Sequence, residues 1–224
     1  MDHEIFEAEL KILREFIDFV NRQVGVYCDC LASFQGNHAR VERQVARLNI
    51  PMEKKYEKGQ TVIVSASVED PTRPDVIIHR IIKAEDFLVT NSEQGFNEQQ
   101  ICWSIIVFMF AYWDEEIRPK IAAARGVKPN DVRVDALGDL RLLRGSIVHN
   151  GGVIRPTDYL RLKVLGEVCE SGSIISPSHD QMHKIFIKIK NAIASLMMTH
   201  IGHLPDAPDS KTIVGVAIQY VSGN

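Results

Sequence analysis

Four cysteines in 224 residues, Cys28, Cys30, Cys102 and Cys169, are too few and too scattered for a disulfide framework. Cys28-Asp29-Cys30 lacks a second ligand pair at zinc-finger spacing, so packing accounts for it and no metal is expected. There is no glycine-rich phosphate loop and no nucleophile elbow, and no cofactor is expected either. Charge of one sign is also missing: 26 Lys and Arg stand against 29 Asp and Glu, a net charge of -3. A protein that coats nucleic acid non-specifically needs a broad basic face that displaces counterions, so that class is excluded. The longest apolar run, Ile101 to Trp113, is interrupted by Ser104 and falls short of the roughly 20 residues a bilayer crossing needs. No membrane partner is therefore expected. The first residues carry no basic, apolar, small-residue signal, and the expected location is a reducing cytoplasm. Internal repeats and low-complexity tracts are absent.

What the chain has is helical periodicity. Its 45% hydrophobic share supports one sizeable core, and one domain with an insertion is the expected organisation. Ile5, Phe6, Leu10, Leu13, Phe16, Ile17, Val20 and Val24 recur at helical spacing, predicting an amphipathic helix over residues 4–24. Gly25 is expected to bend this helix rather than end it, since residues 26–48 are also helix-compatible, and Pro51 closes the unit. Residues 52–95 are the expected insertion: residues 61–68 read as a strand, and residues 76–89 fit a helix or a second strand. Asn97 as cap, Gln100 reaching back, and Phe96 with Ile101 as a staple predict a helix start. That helix is apolar nearly all round to Trp113 and belongs at the centre of a bundle. Asp114-Glu115-Glu116 follow, Pro119 should kink the element, and Gly126 should end it. A third helix is expected over residues 134–150. Leu160 to Leu165 alternates like a strand and should form a small hairpin with Ser173 to Ile175. A long helix opens at Ser176 to Gln181 and continues through Met197. The tail from residue 205 ends in a candidate strand, residues 212–221, a partner for residues 61–68.

The third helix carries the most informative stretch, Asp139-Leu-Arg-Leu-Leu-Arg144-Gly-Ser-Ile-Val-His149-Asn150-Gly-Gly152. Gly151 and Gly152 should stop the helix just after a histidine. A guanidinium stays charged and grips phosphate through a planar fork, and an imidazole titrates near neutrality. Together they supply the parts for metal-independent cleavage of RNA. Between Asp131 and Lys163 six basic residues (Arg133, Arg141, Arg144, Arg155, Arg161, Lys163) face four acidic ones, a mild local excess. Arg144 falls on the apolar arc of Ala136, Leu137, Leu140, Leu143, Ile147 and Val148, where a guanidinium needs a partner. A salt bridge to Asp114, Glu115 or Glu116 would supply one. On an ideal helix Arg144 and His149 diverge by about 140° and stand roughly 7.5 Å apart along the axis. Either the last turn frays, or two copies of the helix build the site across a two-fold axis. A plainer role for His149 is a cation at the helix C-terminus.

Arg144, four residues, His149 and then Asn-Gly-Gly resembles the signature of HEPN domains (higher eukaryotes and prokaryotes nucleotide-binding). The resemblance covers about residues 3–203. It implies a mainly α fold, a HEPN-like bundle of four to five helices with a small β-hairpin or insertion, spanning residues 1–204 with residues 205–224 as a tail. Active members of that family are metal-independent endoribonucleases, often toxins or antiviral effectors, whose composite site forms by dimerisation. The resemblance therefore implies a homodimer, RNA as substrate, and an antitoxin or other partner protein. The RNA 2′-hydroxyl would attack the neighbouring phosphate, with His149 as general acid or base and Arg144 stabilising the phosphoryl charge. Asn150 and Arg141 are the candidate substrate contacts, with Asp114, Glu115 and Glu116 as supporting acids. Catalytic members usually carry a polar residue directly after the arginine, whereas this chain has Gly145. The alternative is a non-catalytic HEPN-like module for dimerisation, nucleotide binding or protein interaction. His179 and His183 share a helix face at metal-ligand spacing, but no Glu follows the first, and helix-start polarity explains them better.

Overall fold

Apolar side chains spaced by three and four residues need one helix face to bury them, and α1 (His3–Arg47) provides it: Leu13, Phe16, Ile17, Val20 and Tyr27 are all buried. The structure, a computed structural model, describes residues 3–47, 63–67 and 78–201. Gly25 does not end α1, which is a single 45-residue helix. The chain divides into two units, one drawn from Met1–Tyr27 and Cys102–Asn224, the other from Cys28–Ile101. No helix among the described residues is long and apolar enough to cross a membrane.

In the second unit, β1 (Ile63–Ser67) and β2 (Ile78–Lys83) pair antiparallel, Ile63 opposite Lys83, with an irregularity between Ala66 and Ser67. The chain then passes directly into α2 (Ala84–Thr90). The ambiguous pattern over residues 76–89 is thus both a strand and a helix in succession: β-branched isoleucines fill the first part, and Ala84-Glu85-Asp86-Phe87-Leu88 suits the second. Val41 and Val45 from α1 pack with Ala84 and Phe87 in this unit's core. The tail strand expected over residues 212–221 lies outside the described residues, as does Pro51.

α3 (Phe96–Tyr112) starts two residues earlier than an Asn97 cap implies. Gly95 accepts the first helical bond from Gln99 N–H (3.0 Å), while the Asn97 amide donates to Asn91 Oδ1 (3.0 Å) instead of capping. Cys102, Ile105, Ile106, Met109 and Trp113 are fully or nearly buried in the first unit. The helix is nonetheless not apolar-buried all round, because Phe108 is 62% exposed. After Tyr112 the helix widens to a π turn, Trp113–Ile117, before α4 (Arg118–Arg125). Pro119 sits in the first turn of α4, and a wider turn relieves the clash of its ring with the preceding carbonyl. Gly126, with φ 66°, ends α4 as the sequence predicts. Glu9, almost fully buried on α1, pairs through both carboxylate oxygens with Arg125 at the end of α4.

α5 (Asp135–His149) buries Ala136, Leu137, Leu140 and Leu143 against the same core as α7 (His179–Ile201), which contributes Ile185, Phe186, Ile189 and Ile193. Ser178 and Gln181 cap α7 reciprocally: Ser178 N–H donates to Gln181 Oε1 (2.8 Å), and Gln181 N–H to Ser178 Oγ (3.3 Å). Between them lies α6 (Pro156–Tyr159). The expected hairpin of residues 160–165 with residues 173–175 does not form. Ile174 instead makes an isolated antiparallel bridge with Val153, and residues 160–165 bend over α5. The reason is a buried carboxylate, described below.

Gly152 has φ 84°, and a Cβ there would lie 2.2 Å from the Trp103 ring. That ring cannot step aside freely, because its Nε1–H donates to Ile175 O at 2.6 Å. Gly152→Ala is expected to cost about 2–4 kcal/mol, from left-handed backbone strain plus overpacking, and to lower Tm by roughly 5–15 °C. Gly151 has φ 60° but open space around it, so Gly151→Ala should cost only about 1 kcal/mol. Thermal melts of the two variants check the difference.

Candidate functional site

The glycines do more than stop α5. Asn150 N–H and Gly152 N–H both donate to Ser146 O (3.0 Å each), and Val153 N–H returns to Asn150 O (3.1 Å). The chain is then clamped by Ile154 N–H to Ser173 O (3.1 Å) and Ile175 N–H to Gly152 O (2.8 Å). This fixes the backbone that carries His149, Asn150 and Arg155. His149 is exposed to solvent at the helix end. Asn150 Oδ1 accepts a hydrogen bond from Arg155 Nη2 at 2.7 Å, which places a second guanidinium within a few residues of the imidazole. Arg155 entered the sequence view only as part of the local charge. Its closeness to Asn150 depends on the turn at Gly151 and Gly152, which a charge count does not see.

Arg144 is half-buried, and among the described residues no carboxylate holds its guanidinium. Two of the three supporting acids, Asp114 and Glu116, pair with cations four residues on. Asp114 lies 2.6 Å from Arg118 Nη2, and Glu116 lies 3.8 Å from Lys120 Nζ. The Asp114 pair is close but poorly angled: Asp114 Oδ1 and Arg118 Nε are both buried atoms without a hydrogen-bond partner among the described residues. Arg144 and His149 leave α5 in directions about 140° apart. Ideal helix geometry thus directs the two side chains of one copy to different sides of α5.

Asp139 is the functional-looking carboxylate that the sequence view missed. It is 2% exposed, and its Oδ2 accepts the backbone N–H groups of Lys163 (2.9 Å), Val164 (2.6 Å) and Leu165 (2.8 Å), with Lys163 N–H also 3.1 Å from Oδ1. Three successive amides on one carboxylate form a nest of the kind that binds anions, here filled by the protein's own side chain. The bonds pull residues 163–165 out of extended geometry and onto α5. Lys163 Nζ reaches back to Asp135 Oδ1 at 2.7 Å. Burial, and then the charge of Asp139, push the Cys169 thiol up to about 11, so it carries no thiolate for nucleophilic chemistry at neutral pH.

The same bend encloses a cleft of about 840 Å³ along the N-terminal half of α5. Arg141 lies in its wall with Arg118, Arg133, Arg161 and Lys163, whereas Arg144, His149 and Asn150 do not. The structure thus separates Arg141 from the other sequence-derived candidates. Elsewhere, the His179 and His183 rings are 5.5 Å apart, and His179 Nδ1 lies 3.4 Å from Tyr27 Oη on α1. No cluster of three or more His, Cys, Asp or Glu side chains suited to a metal ion occurs among the described residues.

Neither a family model, nor a curated protein, nor a solved structure matches this chain.

Proposed function

We propose that this protein is a HEPN-like, metal-independent endoribonuclease in a toxin or antiviral setting, acting as a homodimer whose paired α5 helices each contribute Arg144 and His149. The observation that carries it is the pairing of an exposed imidazole with a half-buried guanidinium that no described carboxylate neutralises, on one glycine-stopped helix. A cation left unpaired at a partly buried position is costly unless something else holds it, and a phosphodiester or a second copy of the helix would do so. The divergence of the two side chains favours the composite site over a single-copy one. His149 serves as general acid or base, Arg144 steadies charge on the phosphoryl oxygens, and the Asn150 amide, held by Arg155, positions the phosphate.

Incubation of the purified protein with single-stranded RNA in excess EDTA should yield fragments ending in a 2′,3′-cyclic phosphate, and a 2′-deoxy strand of the same sequence should be bound but left intact. Absence of cleavage in EDTA, or equal cleavage of the deoxy strand, overturns the proposal. Gly145 favours a second reading, a non-catalytic dimerisation module: the outward side of α5 presents no polar group there, and a Cβ would meet nothing within 4 Å.

A further inference from the structure

The cleft over the N-terminal half of α5 is a concentration of positive charge in a protein whose net charge is -3. Five cations line it against two carboxylates, Asp135 and Asp139. Both carboxylates are already occupied, Asp139 by three backbone amides and Asp135 by the Lys163 ammonium. Arg141 is exposed and has no acidic partner among the described residues. Arg133 spends only its Nε–H, on Asn130 O at 3.3 Å. Arg161 makes one long contact, 3.4 Å, to Asp158. Arg118 is held by Asp114 through Nη2 (2.6 Å) and its Nε is buried, so the free guanidinium groups of the wall, among the described residues, are those of Arg133, Arg141 and Arg161. A concave wall with several under-used guanidinium groups focuses a positive field and suits phosphate oxygens. Guanidinium planes can carry stacked nucleobases, and Leu160, 82% exposed, with half-buried Leu142 and Leu162 adds apolar surface beside them.

From Arg141 the outward side of α5 continues through Gly145 and Val148 to His149, eight residues or about 12 Å along the axis. Gly145 puts no side chain in that path. We propose that the cleft is an anchoring subsite for single-stranded RNA, in which Arg133, Arg141 and Arg161 grip backbone phosphates beside the reacting one. The direction of the strand, towards His149, rests on the nuclease proposal above; the cleft as a strand-binding site does not. In this arrangement Gly145, which removes a polar side chain from the motif, keeps the floor between anchor and reaction centre open.

The test is fluorescence anisotropy in EDTA with a labelled 2′-O-methyl octaribonucleotide, which lacks the attacking hydroxyl and is not cut. Replacing Arg133, Arg141 and Arg161 together by alanine should weaken binding about 10- to 100-fold and reduce the slope of log K against log salt by about 2, while Lys184→Ala, exposed on α7 and outside the cleft, leaves affinity nearly unchanged. All three side chains are exposed, so an unchanged Tm shows that the triple variant is folded. Failure of the unmodified protein to bind, equal binding by the folded triple variant, equal affinity for polyglutamate, or equally effective competition by a mononucleotide overturns the assignment. Cleavage plays no part in this readout. A protein that binds through the cleft but does not cut would sink the nuclease proposal alone; one that cuts but binds independently of the three arginines would sink the subsite alone.

Discussion

His149→Ala is expected to slow EDTA-resistant RNA cleavage by about 10²- to 10⁴-fold while shifting Tm by no more than about 2 °C. The two halves of this expectation have different physical sources. A positioned imidazole that moves a proton in the transition state accounts for the rate. The small thermal effect follows from exposure: His149 lies in solvent after the last buried turn of α5 and supports no packing. The helix end is held by backbone bonds to Ser146 O, which alanine at position 149 leaves in place. Kinetics and melting curves on the same preparation check both. The dimerisation-module reading expects the reverse, with His149→Ala neutral and Arg144→Ala disturbing folding or self-association in a sizing experiment.

Asp139→Ala should lower stability by about 3–5 kcal/mol, since it strands three backbone N–H donors at once. The amides of Lys163, Val164 and Leu165 all end on this carboxylate, and Leu165 is itself fully buried. Water reaches the first of these positions more readily than the last, so the loss is not three full desolvation penalties. Asp139→Asn, with its amide oxygen in the place of Oδ2, keeps an acceptor for all three amides but loses the charge and sets its NH2 against Lys163 N–H, and should recover about half of the loss. Denaturant titration measures both variants. The change also has a functional readout, because residues 160–163 and Asp139 form one wall of the cleft. In the alanine variant this wall should loosen, and amide exchange should accelerate at residues 163–165 before it does so in α3.

Much of the helical plan was legible because burial imposes a period. Leu13, Phe16, Ile17 and Val20 on α1, and Ile185, Phe186, Ile189 and Ile193 on α7, are buried where helical spacing places them. Gly126 ends α4 and the Gly151-Gly152 pair ends α5 because only glycine adopts their positive φ without strain. The hairpin over residues 160–175 was misplaced for an equally physical reason. Alternation in Leu160-Arg-Leu-Lys-Val-Leu165 suggests a strand, but a strand needs its N–H groups for a ladder, and Asp139, more than twenty residues earlier, takes three of them. A bridge from Arg144 to the acids of residues 114–116, one of the partners its position on the apolar arc allowed, is absent among the described residues for a similar reason. A π turn and i,i+4 neighbours give Asp114 and Glu116 local partners in Arg118 and Lys120.

The sequence by itself determined that the protein is mainly helical, where α5 stops, and that an arginine and a histidine lie near that stop, since periodicity and glycine chemistry act over a few residues. Only the tertiary structure decided which polar groups meet: Arg155 with Asn150, Asp139 with a distant amide nest, and Arg118, Arg133, Arg141 and Arg161 around one cleft. The first depends on the path of the Gly151-Gly152 turn, and the other two join residues from separate elements, so periodicity does not encode them: they depend on how the chain turns and on how buried faces pack together.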